Sequence, residues 1–433
     1  MLLFCLLLTI SPLFPAQAAV QSLPLTAGKS IYVLKADALP LVELQLTFRD
    51  AGAISDPKGK AGRAFFATAL LKEGSGKMDA VTFQKALEDQ AIDISVAASD
   101  EDVTITVQSL SKNLLQALDL LQQMLTSPRF DKASLEKTRS QILSGMKQNA
   151  QNPGWLASTH FDAEAYGDHP FALPVEGTEK SVKALTEADL RDWVKELGVD
   201  NLVLSAAGDV DETLLKTRLG ALLVALPAKA ALPPVTDASV IVGRDKPVII
   251  TQDIPQTVAL FGLPSVDRND PDFYAAYVMN HILGGGGLTG RLSSTIRQQH
   301  GLAYYASTSL APRRHSSALF GNFATRNESA MQAVALAEGV LKNFAETGAT
   351  PQEVQNAIDY ITGSFPLALD DLGSQVAYLS SMQRFDLGLD YLQKRNDYFR
   401  AVTPEAVSRV AAKLLAKPPL VVLVGNPEGA PHD

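Results

Sequence analysis

The two halves of this chain resemble each other, and that internal repeat limits the fold more than any single motif does. The segment ALEDQAIDISVAAS, which begins at Ala86, lies against TIRQQHGLAYYAST, which begins at Thr295. A predicted helix that starts near Leu114 likewise lies against a later one that carries Val334. Because a repeat of roughly 200 residues is long enough to be a domain, we infer an internal duplication in which both halves share one architecture.

Each half groups its predicted strands and helices instead of alternating them strictly. Alternating apolar residues predict strands at 31–33 and 42–48, and the turn-forming residues 37–40 predict that the two strands form a hairpin-like pair. A later helix is predicted from leucines at i, i+4, i+7 and i+11, namely Leu114, Leu118, Leu121 and Leu125. We therefore predict an α+β protein, with two homologous α/β sandwich domains whose helices pack on mostly antiparallel sheets.

Changes in composition divide the chain into four segments. Residues 1–18 hold an apolar run followed by the cleavage pattern Ala16-Gln17-Ala18, which predicts a signal peptide although no Lys or Arg precedes the run. Residues 226–245 are rich in proline and alanine and predict a linker between an N-terminal domain at 19–225 and a C-terminal domain at 246–433. The signal predicts a periplasmic or secreted protein, and the alternative for this segment is a buried N-terminal helix.

Charge and hydropathy argue against several classes of partner. The 38 basic and 47 acidic residues give a net charge of −9, so nucleic acid is not expected as a partner. No apolar run after residue 18 approaches the ~20 residues of a membrane span, so none is predicted. The only cysteine, Cys5, lies in the predicted signal, and the mature chain would therefore offer no thiol nucleophile and no thiolate ligand.

The common catalytic and metal-binding patterns are missing from the sequence. No two of the six histidines have the i, i+4 spacing that places two imidazoles on one helical face. The sequence contains no G-x-S-x-G, and the glycine run at 284–287 lacks the Gly-Lys-Ser/Thr ending of a P-loop. The pattern therefore argues against a zinc site, a serine nucleophile and a phosphate-binding loop on this chain.

The stretch at 284–305, GGGGLTGRLSSTIRQQHGLAYY, is the best candidate for a functional site. It predicts a short helix at 289–299 and a strand at 302–310, which can bring Arg297 and Tyr304 into one cleft. A guanidinium and a phenol can both stabilise developing negative charge, but an exposed helix-end arginine and a half-buried strand tyrosine explain the same residues without any function. Four glycines predict a mobile or tightly turning loop that we expect to contact substrate: Gly284, Gly285, Gly286 and Gly287.

A family resemblance rests on three segments. The longest, DPDFYAAYVMNHILGGGGLTGRLSSTIRQQHGLAYYASTSL, resembles the C-terminal half of the M16 (pitrilysin-like) zinc metallopeptidases, which include the mitochondrial processing peptidases and their bacterial relatives. IPQTVALFGLP at 254–264 and YGDHPFALPVEGTEKSV at 166–182 extend the likeness over most of the chain. The resemblance implies paired α+β domains that assemble as two halves around a closed peptide-binding chamber.

The resemblance also shows which groups this chain lacks. In the family, zinc is bound by an H-x-x-E-H motif on the first helix of the N-terminal half and by a distal glutamate. Here Phe65, Thr68 and Ala69 stand at the three motif positions, and 142–145, Ile-Leu-Ser-Gly, stands at the glutamate. These side chains cannot hold zinc or activate its water. Arg297 and Tyr304, in contrast, match a pair that the C-terminal half of the family contributes to the active site.

Two hypotheses follow. In the first, the chain is the non-zinc-binding subunit of an exported heterodimeric M16 peptidase, with no cofactor of its own. Its partner would be a homologous subunit with an intact H-x-x-E-H motif and bound zinc, and Arg297 and Tyr304 would act there on a peptide substrate. In the second, the chain is a catalytically inactive structural or peptide-binding protein that keeps the fold.

Overall fold

The computed structural model of the protein describes residues 19–244 and 246–429, so the predicted signal peptide at 1–18 lies outside the described residues. The strands of the N-terminal half are β1 (Gln21–Pro24), β2 (Ser30–Lys35), β3 (Leu41–Phe48), β4 (Gly74–Ser75), β5 (Met78–Asp79), β6 (Asp93–Ala98), β7 (Val103–Leu110) and β8 (Leu202–Gly208). Its helices are α1 (Arg63–Leu70), α2 (Ala80–Glu88), α3 (Leu114–Thr126), α4 (Lys132–Asn149), α5 (Pro153–Tyr166), α6 (Glu179–Ala184), α7 (Glu187–Val194) and α8 (Glu212–Ala225).

The C-terminal half repeats this succession of elements. Its strands are β9 (Val248–Thr251), β10 (Gln256–Pro264), β11 (Ala303–Ala311), β12 (Ala318–Arg326) and β13 (Leu420–Gly425). Its helices are α9 (Phe273–Asn280), α10 (Arg291–Ser293), α11 (Ala330–Thr347), α12 (Pro351–Gly363), α13 (Leu372–Arg384), α14 (Tyr391–Arg400) and α15 (Pro404–Leu414). Five α-helices separate β12 from β13, as five separate β7 from β8. None of the helices in the described ranges is long and apolar enough to cross a membrane.

The two main sheets have the same strand order. The first runs β1-β2-β8-β3-β7-β6, and the second runs β9-β13-β10-β12-β11, so the second reproduces the first apart from the additional edge strand β1. Each contains one parallel pair, β2 with β8 and β13 with β9, and is otherwise antiparallel. Each half buries its own apolar core between its sheet and its helices. The predicted α+β architecture with two homologous sandwich domains is confirmed.

The predicted pairing of the first two long strands is wrong. β2 and β3 are not neighbours, because β8 lies between them, parallel to β2 and antiparallel to β3. All seven residues of β8 are buried, which makes it the most apolar strand available for the centre of the sheet. A turn-forming segment between two strands indicated a hairpin, but burial of a distant apolar strand decided the pairing.

Each half supplies one helix to the sheet of the other half. Helix α5 packs on β10 and β13, where the Phe161 ring lies 5.4 Å from that of Phe320 and directly over Gly262. Helix α13 packs on β3 and β8, where the Ser205 hydroxyl donates to the Val376 carbonyl at 2.9 Å. Since α5 and α13 occupy the same place in the repeat, the exchange is reciprocal.

The proline-rich segment that the sequence predicts as a linker has no helix or strand at its described positions, 226–244. It is nevertheless packed along both halves. Val240 is buried, and the Ala238 amide donates to the His315 carbonyl while the Ile241 amide donates to the Ala165 carbonyl. The segment therefore lies as an ordered strap across the two halves.

Candidate functional site

Arg297 and Tyr304 lie next to each other at the edge of the second sheet. Arg297 belongs to a π-helical turn, Ser294–Gln299, and Gly301, with a φ of 64°, ends that turn and leads into β11. The guanidinium carbon of Arg297 lies 5.3 Å from the centre of the Tyr304 ring, a cation–π distance. The structure thus brings together the two residues that the sequence paired, and a single π-helical turn is a common feature of functional sites.

Neither side chain of this pair is occupied by another contact. Among the described residues, the guanidinium of Arg297 has no ion pair, and the Tyr304 hydroxyl has no hydrogen-bond partner. Tyr304 is 82% exposed, so it is not the half-buried strand tyrosine that the explanation without function assumes. Both groups remain free to donate hydrogen bonds to a bound molecule.

A β-bulge in β11 explains that exposure. Ala303 pairs with Thr325 and Ala306 with Phe323, so Tyr304 and Tyr305 together oppose one residue of β12. Ala303 and Ala306 are buried, and both tyrosines between them are exposed, whereas a regular strand would bury one of the two. The bulge therefore presents two neighbouring phenols at the edge of the sheet, beside Arg297.

The glycine run is more regular than the sequence suggested. Gly284 and Gly285 complete a π-helical turn, His281–Gly285, and Gly287 starts a 3-10 turn, so helical turns replace the predicted loop. Gly284 is buried, and a Cβ atom on it would lie 2.7 Å from the Thr308 amide nitrogen. Gly285 and Gly287 are exposed, and Gly286 is half-buried. Close packing on β11 therefore requires at least Gly284, and contact of the run with substrate stays a prediction.

The positions of the expected zinc motif lie on α1 but offer no metal ligand. Phe65 is half-buried, Thr68 is buried with its hydroxyl donating to the Phe65 carbonyl at 2.8 Å, and Ala69 is exposed. Residues 142–145 lie on α4, which packs against α1. Nowhere in 19–244 or 246–429 do three His, Cys, Asp or Glu residues form a group that could hold a metal ion. The residues present do not fit zinc.

A buried ionic cluster holds the start of α1. Asp56 accepts hydrogen bonds from the amides of Gly62, Arg63 and Ala64 at 2.7 to 3.0 Å. The Arg63 guanidinium lies between Asp56 and Glu196, at 3.5 Å and 2.5 Å respectively. Burial raises the pKa of Asp56 to about 7, although its hydrogen bonds and Arg63 act in the opposite direction, and burial also raises the pKa of Glu196. This helix is therefore fixed by charges at its N-terminus and not by a metal ion.

A second charged cluster joins the two halves. The tip of the β6–β7 hairpin carries the acidic triplet Asp100, Glu101 and Asp102, and the tip of the equivalent β11–β12 hairpin carries the basic triplet Arg313, Arg314 and His315. We call this contact the hairpin lock. Arg313 pairs with Asp100 at 2.7 Å, and Glu101 accepts from the amides of Arg314 and His315 at 3.1 and 2.8 Å.

Two residues outside the hairpin tips complete the hairpin lock. The Arg314 guanidinium contacts Asp102 and Asp50, each at 2.6 Å, and Arg384 of α13 also pairs with Asp102. Asp102 is almost fully buried. Burial opposes ionisation of Arg314, but the two carboxylates outweigh it and raise its pKa. The sequence analysis did not predict this cluster. Two triplets of opposite charge at equivalent turns of the repeat would have indicated it.

Comparisons with known proteins place the chain in a family. Residues 38–179 match the model described as insulinase (peptidase family M16), and residues 184–361 match the model described as peptidase M16 inactive domain. The non-peptidase homolog YmxG of Helicobacter pylori is 31% identical over 81% of this chain and 80% of that protein. An uncharacterized zinc protease of Streptomyces coelicolor is 26% identical over 84% of this chain and 80% of that protein. The chain belongs to peptidase family M16.

Solved structures agree with this assignment. The crystal structure of a peptidase M16 inactive domain from Pseudomonas fluorescens is 27% identical, has a TM-score of 0.88, and covers 95% of this chain and 99% of that one. The crystal structure of a protease from Helicobacter pylori has a TM-score of 0.83 at 16% identity, with 94% and 100% covered, and shows the likeness of the fold. The M16 resemblance predicted from the sequence is confirmed.

Proposed function

We propose that this chain is the non-zinc-binding subunit of a heterodimeric M16 peptidase. One observation carries the proposal: all the expected zinc-site positions hold non-ligating side chains, while the Arg297 guanidinium lies over the exposed Tyr304 ring and neither polar group has another partner among the described residues. The partner is a homologous M16 chain with an intact H-x-x-E-H motif and bound zinc, and the substrate is a peptide. The partner's zinc and glutamate would activate the attacking water.

The role of the pair follows from its donors. Attack on a peptide carbonyl places negative charge on the carbonyl oxygen, and preorganised donors that face this oxygen stabilise the transition state. The Arg297 guanidinium and the Tyr304 hydroxyl are such donors. Because Arg297 stacks on the Tyr304 ring, each side chain restricts the other and less rotational freedom is lost when substrate binds.

Co-expression with an H-x-x-E-H-bearing M16 chain encoded beside this one tests the proposal. We expect a stable complex that contains zinc and hydrolyses peptides, while the purified single chain has neither zinc nor activity. A partner that is fully active on its own, with no affinity for this chain, would reject the proposal.

A second candidate function is that of a non-catalytic peptide-binding or structural protein. The name of the Helicobacter pylori relative, a non-peptidase homolog, favours it. The free edges of β6 and β11 could then take up extended peptides by strand addition. Under this alternative the chain is stable and functional without a zinc-binding partner, and the Arg297 and Tyr304 side chains make no contribution to hydrolysis.

We also propose that this chain is exported from the cytoplasm. The apolar run and the Ala16-Gln17-Ala18 pattern indicate that the chain is cleaved after residue 18 and functions in the periplasm or outside the cell. N-terminal sequencing of the protein from the exported fraction tests this, and an intact Met1 on the exported protein would contradict it.

A further inference from the structure

A cavity of about 280 Å³ lies beside the glycine run, between the end of α9 and α12. It is lined by His281, Ile282, Thr289, Glu353, Asn356, Ala357 and Tyr360. The segment that lines the cavity is tied to the Arg297 turn, because the Gln298 side chain donates to the Leu288 carbonyl at 3.0 Å, next to Thr289.

The repeat gives the cavity a counterpart in the first half. Helix α1 packs on α4 and α7, and the equivalent α9 packs on α12 and α15. The positions expected to bind zinc lie on α1 and α4, so the cavity lies, in the second half, beside the two helices that correspond to these. Its single imidazole and one carboxylate are too few ligands for a metal ion.

The polar groups that face the cavity are uncharged or already paired. Glu353 receives two hydrogen bonds from Arg291, both at 2.8 Å, and these bonds lower the pKa of its carboxyl to about 2. Burial of part of its ring lowers the pKa of His281, which favours the uncharged imidazole. Neither ring nitrogen of His281 has a hydrogen-bond partner among the described residues, and the same holds for the Tyr360 hydroxyl.

Two aromatic rings form one wall of the cavity. The His281 and Tyr360 rings lie 5.1 Å apart with a tilt of 32°, and Tyr360 is 64% exposed although it is aromatic. The glycine run packs closely on this histidine, since a Cβ atom on Gly286 would lie 3.1 Å from Nε2 of His281. Ile282 and Ala357 supply apolar surface. The result is an aromatic platform with neutral hydrogen-bonding groups at its rim.

We propose that this cavity binds an aromatic side chain of the peptide substrate, which stacks on Tyr360 and hydrogen-bonds to His281 or Asn356. The inference rests on the proposed function, since it treats the cavity as a specificity site beside the Arg297–Tyr304 pair. A charged side chain would lose its hydration there without gaining an opposite charge, because Glu353 is already paired. An aromatic side chain gains apolar contact and ring stacking.

Binding of a blocked amino acid to the full single chain tests the site without a partner. The chain has six histidines, so selective ¹⁵N labelling of histidine gives few signals, of which His281 reports on the cavity. We expect N-acetyl-tyrosine amide to shift the His281 signals and N-acetyl-alanine amide to leave them unchanged. Tyr360→Ala should weaken binding roughly three- to tenfold, as expected for the loss of one aromatic pair.

Leu367→Ala is the matched control, because Leu367 is 72% exposed in the same half and does not line the cavity. It should leave binding unchanged. Unshifted His281 signals, or equal binding by Tyr360→Ala and the unmodified chain, would overturn the inference. An active complex whose isolated subunit fails to bind the amide rejects the cavity site alone. Binding of the amide by a chain that never forms an active complex rejects the proposed function alone.

Discussion

The Nη2 atom of Arg314 lies 2.6 Å from Oδ1 of Asp102, and this contact joins two hairpins that are equivalent in the internal repeat. Asp102 is buried and Arg314 is largely buried, so the pair is shielded from water. Charges in such surroundings interact strongly, but each has also lost its hydration, and removal of one partner leaves the other uncompensated.

Arg314→Ala should therefore destabilise the protein by about 2 to 3 kcal/mol. Removal of the sole partner of a buried charge costs ~3 to 5 kcal/mol, and the loss is smaller here because Arg384 still pairs with Asp102. Urea unfolding followed by circular dichroism measures the change. Arg400→Ala is the control, since Arg400 pairs with Asp397 on the exposed surface and should contribute less than about 1 kcal/mol. Equal losses in the two variants would contradict a special role for the hairpin lock.

The hairpin lock should also respond to pH through His315. Its ring nitrogens lie 3.0 Å from Asp50 and 2.9 Å from Asp237. Burial alone would lower the pKa of His315, but these hydrogen bonds and the charges of Asp50 and Glu101 outweigh it and raise the pKa. Since the pKa of the folded state is raised, the stabilisation is fully present below about pH 6.5, the ordinary value for histidine, and is lost as pH rises through the folded-state pKa.

Comparison of the unmodified chain with His315→Gln isolates this effect. Asp56 and Asp162 also have pKa values raised to about 7 by burial, so they too stabilise the folded state more at lower pH. Because both proteins contain these two residues, their effect cancels in the comparison. The difference in unfolding free energy between the two proteins should therefore shrink as the pH rises from 6 to 8. A difference that stays constant over this range would show that His315 does not titrate in the hairpin lock.

Packing of the glycine run can be tested by adding one methyl group. Gly284→Ala places a Cβ atom against the Thr308 backbone, which must shift, and we expect a loss of about 1 to 3 kcal/mol. Gly145→Ala is the control, because it lies in α4 with open space around it and should gain up to about 1 kcal/mol from helix propensity. In thermal unfolding, the midpoint temperature should fall for Gly284→Ala and rise for Gly145→Ala. A neutral Gly284→Ala would contradict the tight approach of the run to β11.

Arg297→Ala and Tyr304→Phe should each lower peptide hydrolysis by the complex on the order of 10²-fold or more, because each removes one donor to the transition state. The zinc content of the complex should stay unchanged, since neither residue is a metal ligand. Arg326→Ala is the control: it removes an exposed arginine of the same sheet, which pairs with Glu328, and should leave turnover as it was. Full activity of both site variants would reject the transition-state role and favour the non-catalytic alternative.

Periodic patterns predicted where strands and helices lie better than they predicted which strands pair with each other. The strand at 42–48 and the stripe of Leu114, Leu118, Leu121 and Leu125 are present, because burial of one face of a strand or helix leaves a regular spacing in the sequence. The placement of β8 between β2 and β3 was not predictable from local turn signals, since the pairing depends on a strand more than 150 residues away.

For the candidate site, the sequence indicated the residues but not the backbone that carries them. A short helix was predicted at 289–299, and its apolar residues Leu292 and Ile296 are buried, yet the turn that holds Arg297 is π-helical. The bulge at Tyr304 and Tyr305 is a second irregularity, in β11. Neither irregularity was predicted from periodicity, and both occur where the candidate chemistry lies.

The reciprocal placement of α5 and α13 determines what the smallest cooperative unit of this chain is. Each sheet has one face on which a helix from the other half packs. We therefore expect loss of the contacts at Phe161 or at Ser205 to weaken both halves, and the two to unfold in one transition. A boundary drawn in the sequence at 226–245 separates two copies of a pattern, but each copy keeps one of its helices on the sheet of the other.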